Sequence, residues 1–131
     1  LAWGGHLARW LPGPLFHLSS VTLMPLLGNM ERIAANDRQA FYDAVQSVPQ
    51  ATIVWRMLLL TEFDIPDFAL RQLTQPVLLL ASVADRLLPS VDEVSRLVKL
   101  LPNPQMVLLP ESGHACLLEA DINLYQIMAS Y

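Results

Sequence analysis

Residues 76–82 read PVLLLAS and residues 105–109 read QMVLL. The fold turns on these two short apolar runs. Each has the length of a strand, and neither alternates apolar with polar residues, which is the pattern of strands buried on both faces of a parallel sheet. The first is bounded by Pro76 and the polar turn VADR, and the second is followed by the loop PESGH. Between them, Ser90 and Glu93 stand as an S-x-x-E capping box, and Val91, Val94, Leu97, Val98 and Leu101 have the spacing of one helical face. After the second run, Leu118, Ile122 and Tyr125 at i, i+4 and i+7 predict a closing helix. Strand, helix, strand, helix predicts a parallel βαβ unit with a right-handed crossover, hence an α/β fold class.

The front of the chain has another character. Asn36 and Gln39 have capping-box spacing, and Phe41, Ala44, Val45 and Val48 then share a helical face, so a helix is expected near 37–48. Pro49 stops it. The stretch PQATIVWRMLLLTEF, residues 49–63, predicts a second helix that is apolar nearly all round, and Asp64 is placed to cap a short one in DIPDFALRQL. Residues 3–20, WGGHLARWLPGPLFHLSS, mix Trp and Phe with Gly and Pro and read as loop with short helical pieces. The expected division is a helical region over 1–75 and a sheet-forming region over 76–131.

Composition bounds what such a chain can do. Its 131 residues suffice for one domain, are 53% hydrophobic and only 15% charged, and carry a net charge of −4. With no Lys/Arg run, it is poorly suited to a phosphate backbone, so no nucleic-acid partner is expected. The single cysteine, Cys116, excludes an internal disulfide and any CxxC spacing, and a reducing, cytoplasmic location is the expectation. No apolar run approaches the ~20 residues of a membrane span. Leu1 is not a start methionine and no signal-peptide flank follows it, so the chain reads as a piece of something longer.

In open parallel sheets the working residues gather at the carboxyl ends of the strands. Asp85 follows the first predicted strand and His114 the second. An aspartate that accepts a hydrogen bond from one imidazole nitrogen orients the ring and stabilises its charged form, leaving the other nitrogen free to take a proton from a nucleophile. Plainer readings exist for both: Gly113-His114 opens a helix, and Asp85 is a turn residue bonding its own backbone. Cys116 and Ser112 stand near His114, but a lone cysteine is usually a small buried hydrophobe and Ser112 reads as a loop or capping residue. His6 and His17 have no acidic neighbour at ligand spacing. No metal site can be assembled from these residues, and no cofactor is expected.

Taken together, LTQPVLLLASVADRLLPS, a helix, LPN, a strand and LPESGHACLLE resemble the last third of an α/β-hydrolase. In that fold the chain order is nucleophile, acid, histidine, and Asp85 and His114 match the last two. More narrowly, ATIVWRMLLL, ADRLLPSVDEVSRL and SGHACLLEAD resemble the esterase/lipase/thioesterase branch that includes plastid phytyl ester synthases and their cyanobacterial relatives. The resemblance covers roughly residues 50–125, with the helical front matching the family's cap in position. It implies cap helices plus the C-terminal βαβα portion of an α/β-hydrolase sheet, acting on a small acyl ester or acyl-lipid substrate. It also implies hydrolysis, or acyl transfer to phytol or diacylglycerol.

The departure from the family pattern lies at the nucleophile. None of the eight serines sits in a G-x-S-x-G elbow, so the expectation is a fragment that is inactive alone and whose serine and oxyanion donors lie in a missing N-terminal half. A dehalogenase or epoxide-hydrolase type of chemistry, with an upstream aspartate nucleophile, shares the late acid and histidine. A non-catalytic helical binding module is the reading outside enzymes. The apolar helix over 50–63 and the Trp/Pro/Phe front read first as ordinary cap packing, since 53% hydrophobic content needs no lipid to explain it, and second as an acyl channel or peripheral membrane contact. A βαβ piece with an open sheet edge is expected to be poorly soluble or molten.

Overall fold

A computed structural model of the chain describes Thr22 and residues 24–131. The stretch 3–20, with His6 and His17, lies outside the described residues. The described residues fall into two compact units, one containing Ala35–Asp64 and the other made of Pro25–Ala34 with Ile65–Tyr131.

A short helical turn, α1, spans Met24–Leu27, with Pro25–Leu27 in the second unit. In the first unit, helix α2 spans Ala35–Ser47 and helix α3 spans Gln50–Glu62. Phe41, Val45 and Val48 are half-buried, as their spacing predicts, whereas Ala44 is exposed. The expected capping box is absent: α2 begins at Ala35, so Asn36 lies inside its first turn, and Gln39 bonds Asp43 one turn on. In α3 only Val54 is buried, while Trp55, Leu59 and Leu60 on other sides remain exposed. No helix among the described residues is long and apolar enough to cross a membrane.

The second unit holds the sheet. Strands β1 (Val77–Ser82) and β2 (Pro104–Leu109) pair in parallel, with Val77 opposite Pro104 and Ser82 opposite Leu109. Parallel neighbours need a crossover connection, supplied here by helix α5 (Ser90–Leu100), which packs on both strands. Its inward side is the predicted one: Val94 and Leu101 are buried and Val91, Leu97 and Val98 half-buried. With Ile33, Leu70, Ala81 and Leu109 they form the core of this unit. The sheet is less covered than its continuous apolar runs predict, because Met106 and Leu108 are exposed. A groove of about 360 Å³ runs along the sheet between Leu78, Leu80 and Gln105 and the side chains of Leu124, Met128 and Tyr131.

Three terminus expectations are corrected here. Asp64 caps nothing; helix α4 (Asp67–Leu70) starts after Pro66, with no side-chain cap. Ser90 and Glu93 do not form a capping box: Pro89 occupies the N-cap, Ser90 bonds elsewhere, and Glu93 pairs with Arg96, whose hydrogen bond holds the Glu93 carboxyl below its ordinary pKa. The closing helix does not begin near Leu118. A 3₁₀ turn at Cys116–Leu118 ends at Glu119, and α6 (Leu124–Ala129) starts only where Asn123 accepts the Gln126 N–H at 3.0 Å. Glu119 is drawn into a buried ion pair, and that interrupts the period.

Burial separates two substitutions of similar size. Ile33→Ala removes a fully buried side chain and is expected to destabilise the chain by about 2–5 kcal/mol. Met128→Ala, at an exposed site, should change stability by no more than about 0.5 kcal/mol. Urea unfolding of both variants checks the contrast.

Candidate active site

Because Ser82 lies opposite Leu109, the chain leaves both strands at the same edge of the sheet. The two departing loops are then stitched together, Val83 N–H donating to Leu109 O at 3.0 Å and Ala84 N–H to Ser112 O at 3.1 Å. Asp85 sits on one loop and His114 on the other. Their side chains meet, with His114 Nδ1 3.1 Å from Asp85 Oδ2.

The aspartate is almost wholly enclosed, its side chain 2% exposed. Oδ1 accepts the backbone N–H groups of Leu87 at 2.8 Å and Leu88 at 3.0 Å, a turn of the kind aspartate favours. Oδ2 accepts the Ser90 hydroxyl as well as His114. Burial pushes the Asp85 pKa up, but the hydrogen bonds from Ser90, Leu88, His114 and Leu87 outweigh it and hold the carboxyl at about 2, below its ordinary 3.8. The turn reading and the pairing reading are therefore both realised, by different oxygens of one carboxylate.

A carboxylate ionised at neutral pH can only accept, so Nδ1 of His114 must carry the proton of this bond. Nε2 is then the nitrogen left to act as a base. The ring is 36% exposed, so it is held on one side and accessible on another.

The loop that carries His114 is anchored by residues that sequence reading passed over. Glu119 is fully buried; its Oε1 accepts the Gly113 N–H at 2.8 Å and its Oε2 lies 3.0 Å from Arg32 Nε. Arg32 also pairs with Glu111 at 2.6 Å and with Asp121. Gly113 packs so closely on the Gly28–Asn29 backbone that a Cβ there would stand 2.7 Å from Asn29 N. Ser90 was legible only as a capping residue. Arg32 and Glu119 left no local signal, since their partnership exists only in the folded chain.

Other candidates stay apart from this pair. Cys116 starts the 3₁₀ turn and is half-buried. Ser112 is buried, its backbone tied to Leu109 and Ala84, and its hydroxyl has no hydrogen-bond partner among the described residues. Among those residues no group of three or more His, Cys, Asp or Glu is placed to hold a metal ion. A cavity of about 390 Å³ lies beside the pair, between Leu26, Asn29 and Met30 on one side and Ala84 and Arg86 on the other. Neither Asp85 nor His114 lines it, so it adjoins the pair without containing it.

No protein-family model matches the chain, and no solved structure matches it significantly. Two curated proteins do. The chain is 30% identical over 108 residues to "Phytyl ester synthase 1, chloroplastic" of Arabidopsis thaliana, covering 82% of this chain and 13% of that protein. It is 29% identical over 116 residues to "Putative carbamate hydrolase RutD" of Acinetobacter baylyi, covering 88% of this chain and 43% of that protein. The chain thus spans less than half the length of either relative. Together the two similarities support the α/β-hydrolase superfamily, and no single branch of it.

The depressed Asp85 pKa has a consequence for stability. A folded-state pKa below the unfolded one adds stability that is fully present above about pH 4 and lost as pH falls through about 2. The shift is worth on the order of 2 kcal/mol. Asp85→Asn should be less stable than the parent at pH 6, and the gap should narrow between pH 4 and 2. Urea midpoints of both chains across that range measure it.

Proposed function

We propose that this chain supplies the acid and the base of an α/β-hydrolase that acts on acyl esters. One observation carries the reading: an enclosed, ionised Asp85 bonds Nδ1 of His114 where two parallel strands end abreast. In this reading a serine from outside the described residues attacks the ester carbonyl. Nε2 of His114 takes the hydroxyl proton as the tetrahedral intermediate forms, then returns it to the departing alcohol oxygen, leaving an acyl-serine. A second hydroxyl, of water or of an alcohol acceptor, then attacks the acyl carbonyl while losing its proton to the same nitrogen, which passes that proton to the serine oxygen as the acyl–serine bond breaks and the acyl group leaves as acid or as new ester. Asp85 remains ionised throughout, fixing the ring and stabilising the imidazolium.

The activities in the names of the two relatives, an ester synthase and a carbamate hydrolase, support acyl chemistry over displacement at a halide or an epoxide. They also leave hydrolysis and transfer to an alcohol as branches of one mechanism, decided by which hydroxyl reaches the acyl-serine. The exposed Trp55, Leu59 and Leu60 of α3 favour an acyl-lipid or membrane surface as the setting, with the protein cytoplasmic and peripheral.

The test is turnover of p-nitrophenyl acyl esters of increasing chain length by the longest open reading frame containing this chain. His114→Ala should lower kcat by roughly two to four orders of magnitude. Undiminished turnover in that variant would remove the proposal.

A further inference from the structure

We propose that the Arg32–Glu119 ion pair is a positioning device for His114, holding the imidazole at the Asp85 carboxylate; the role rests on the reading of His114 as a base. The two residues flanking the histidine are both pinned through their backbone N–H groups. Gly113 N–H donates to Glu119 Oε1 at 2.8 Å, and Ala115 N–H donates to Leu27 O at 2.7 Å. Both anchors lead to one segment, residues 27–33. Leu27 belongs to it directly, and Glu119 is fastened to it twice: by the ion pair with Arg32 Nε at 3.0 Å, and by the isolated antiparallel bridge with Ile33, in which Ala120 N–H donates to Arg32 O at 2.9 Å.

The chemistry of the pair fits a fixed geometry. A fully buried carboxylate is tolerated only when charge and hydrogen bonds compensate it, and Glu119 has both. Arg32 is oriented by one carboxylate at each guanidinium nitrogen: Glu119 at Nε, Glu111 at Nη1 and Asp121 at Nη2. The two outer ones are largely solvent-exposed and contribute little energy, but they hold the guanidinium beside Glu119, whose Oε2 meets Arg32 Nε as an ion pair without hydrogen-bond geometry. The spacing is set from the other side by Gly113, whose backbone lies directly on Gly28 and Asn29. The 3.1 Å Asp85 contact is at the long end of a hydrogen bond, so a small drift of the loop would break it.

Stability and positioning can be separated. Replacing a buried ion pair by apolar residues of similar volume is often neutral for folding. In the longest open reading frame containing this chain, Arg32→Met/Glu119→Leu should therefore keep a cooperative melt while Gly113 N–H loses its acceptor. Long-range ¹H–¹⁵N NMR correlations of the imidazole, assigned against His114→Ala, read out the ring. The parent should show one Nδ1–H tautomer, and the double variant should lose it to the mixture of a free imidazole. Should the double variant fail to fold, Arg32→Lys keeps a charge opposite Glu119 but not the fork, and Nδ1–H should exchange with solvent several-fold faster. A folded double variant with the parental signature, or parental exchange in Arg32→Lys, overturns the proposal. In the ester-cleaving protein the double variant should lose about tenfold or more in kcat with KM nearly unchanged. Parental turnover in His114→Ala would instead overturn the catalytic reading and leave the NMR result standing.

Discussion

The register of one strand pair determines where everything else in the sheet unit can stand. Val77 faces Pro104 and Ser82 faces Leu109, so both chains leave the sheet at one level and the loops after them begin abreast. A slip of one residue would turn the inward side chains of β1 outward. A slip of two would keep the faces but shift the loops by roughly 6–7 Å, far more than a hydrogen bond can span. Helix α5 constrains the register, because it packs on both strands while Val94 and Leu101 are buried. The meeting of Asp85 and His114 is a consequence of that packing before it is a matter of loop chemistry.

Two carboxylates are enclosed near this edge, and they are compensated in different ways. Glu119 faces a permanent cation, Arg32, and one backbone N–H. Asp85 has two backbone N–H groups, a serine hydroxyl and an imidazole, all neutral or able to be so. The difference suits their proposed roles. A guanidinium beside Asp85 would neutralise its field and weaken its support for a charged imidazole. Neutral donors keep the carboxylate ionised while leaving its negative charge available to His114. Glu119 has no such task, and a fixed ion pair makes a firmer joint.

How much of this was legible follows from the range of the interactions. Both strands and the face of α5 were readable because their signal is local: apolar runs of strand length, and five apolar residues at helical spacing. Asp85 and His114 were readable because a strand end is a place that sequence can mark. Ser90 departs from its capping expectation because its hydroxyl has two possible uses, a free N–H of its own helix or the Asp85 carboxylate, and the enclosed charge outranks the exposed helix end. The closing helix begins later than its spacing predicts for a related reason: Glu119 sits in the middle of a run with helical spacing, yet its carboxylate pairs with Arg32 on a distant segment. Segment 27–33 belongs to the sheet unit and braces the His114 loop, a placement that no local pattern in its residues marks.

The hydroxyls of the described residues bear on what the pair lacks. Ser47, Ser95 and Ser130 donate to carbonyls of their own helices, Ser90 donates to Asp85, and Ser82 and Ser112 are buried. Among the described residues, then, no serine hydroxyl bonds the ring of His114, and none occupies a strained turn between strand and helix of the kind that presents a nucleophile. A base without a proton donor in reach does no acyl chemistry, however well it is oriented. The energy invested in orienting His114, an enclosed carboxylate on one side and a buried ion pair behind its loop, makes sense if the free Nε2 meets a hydroxyl brought from outside these residues. That requirement makes the identity of the hydroxyl facing Nε2 the quantity on which the acyl-ester reading depends.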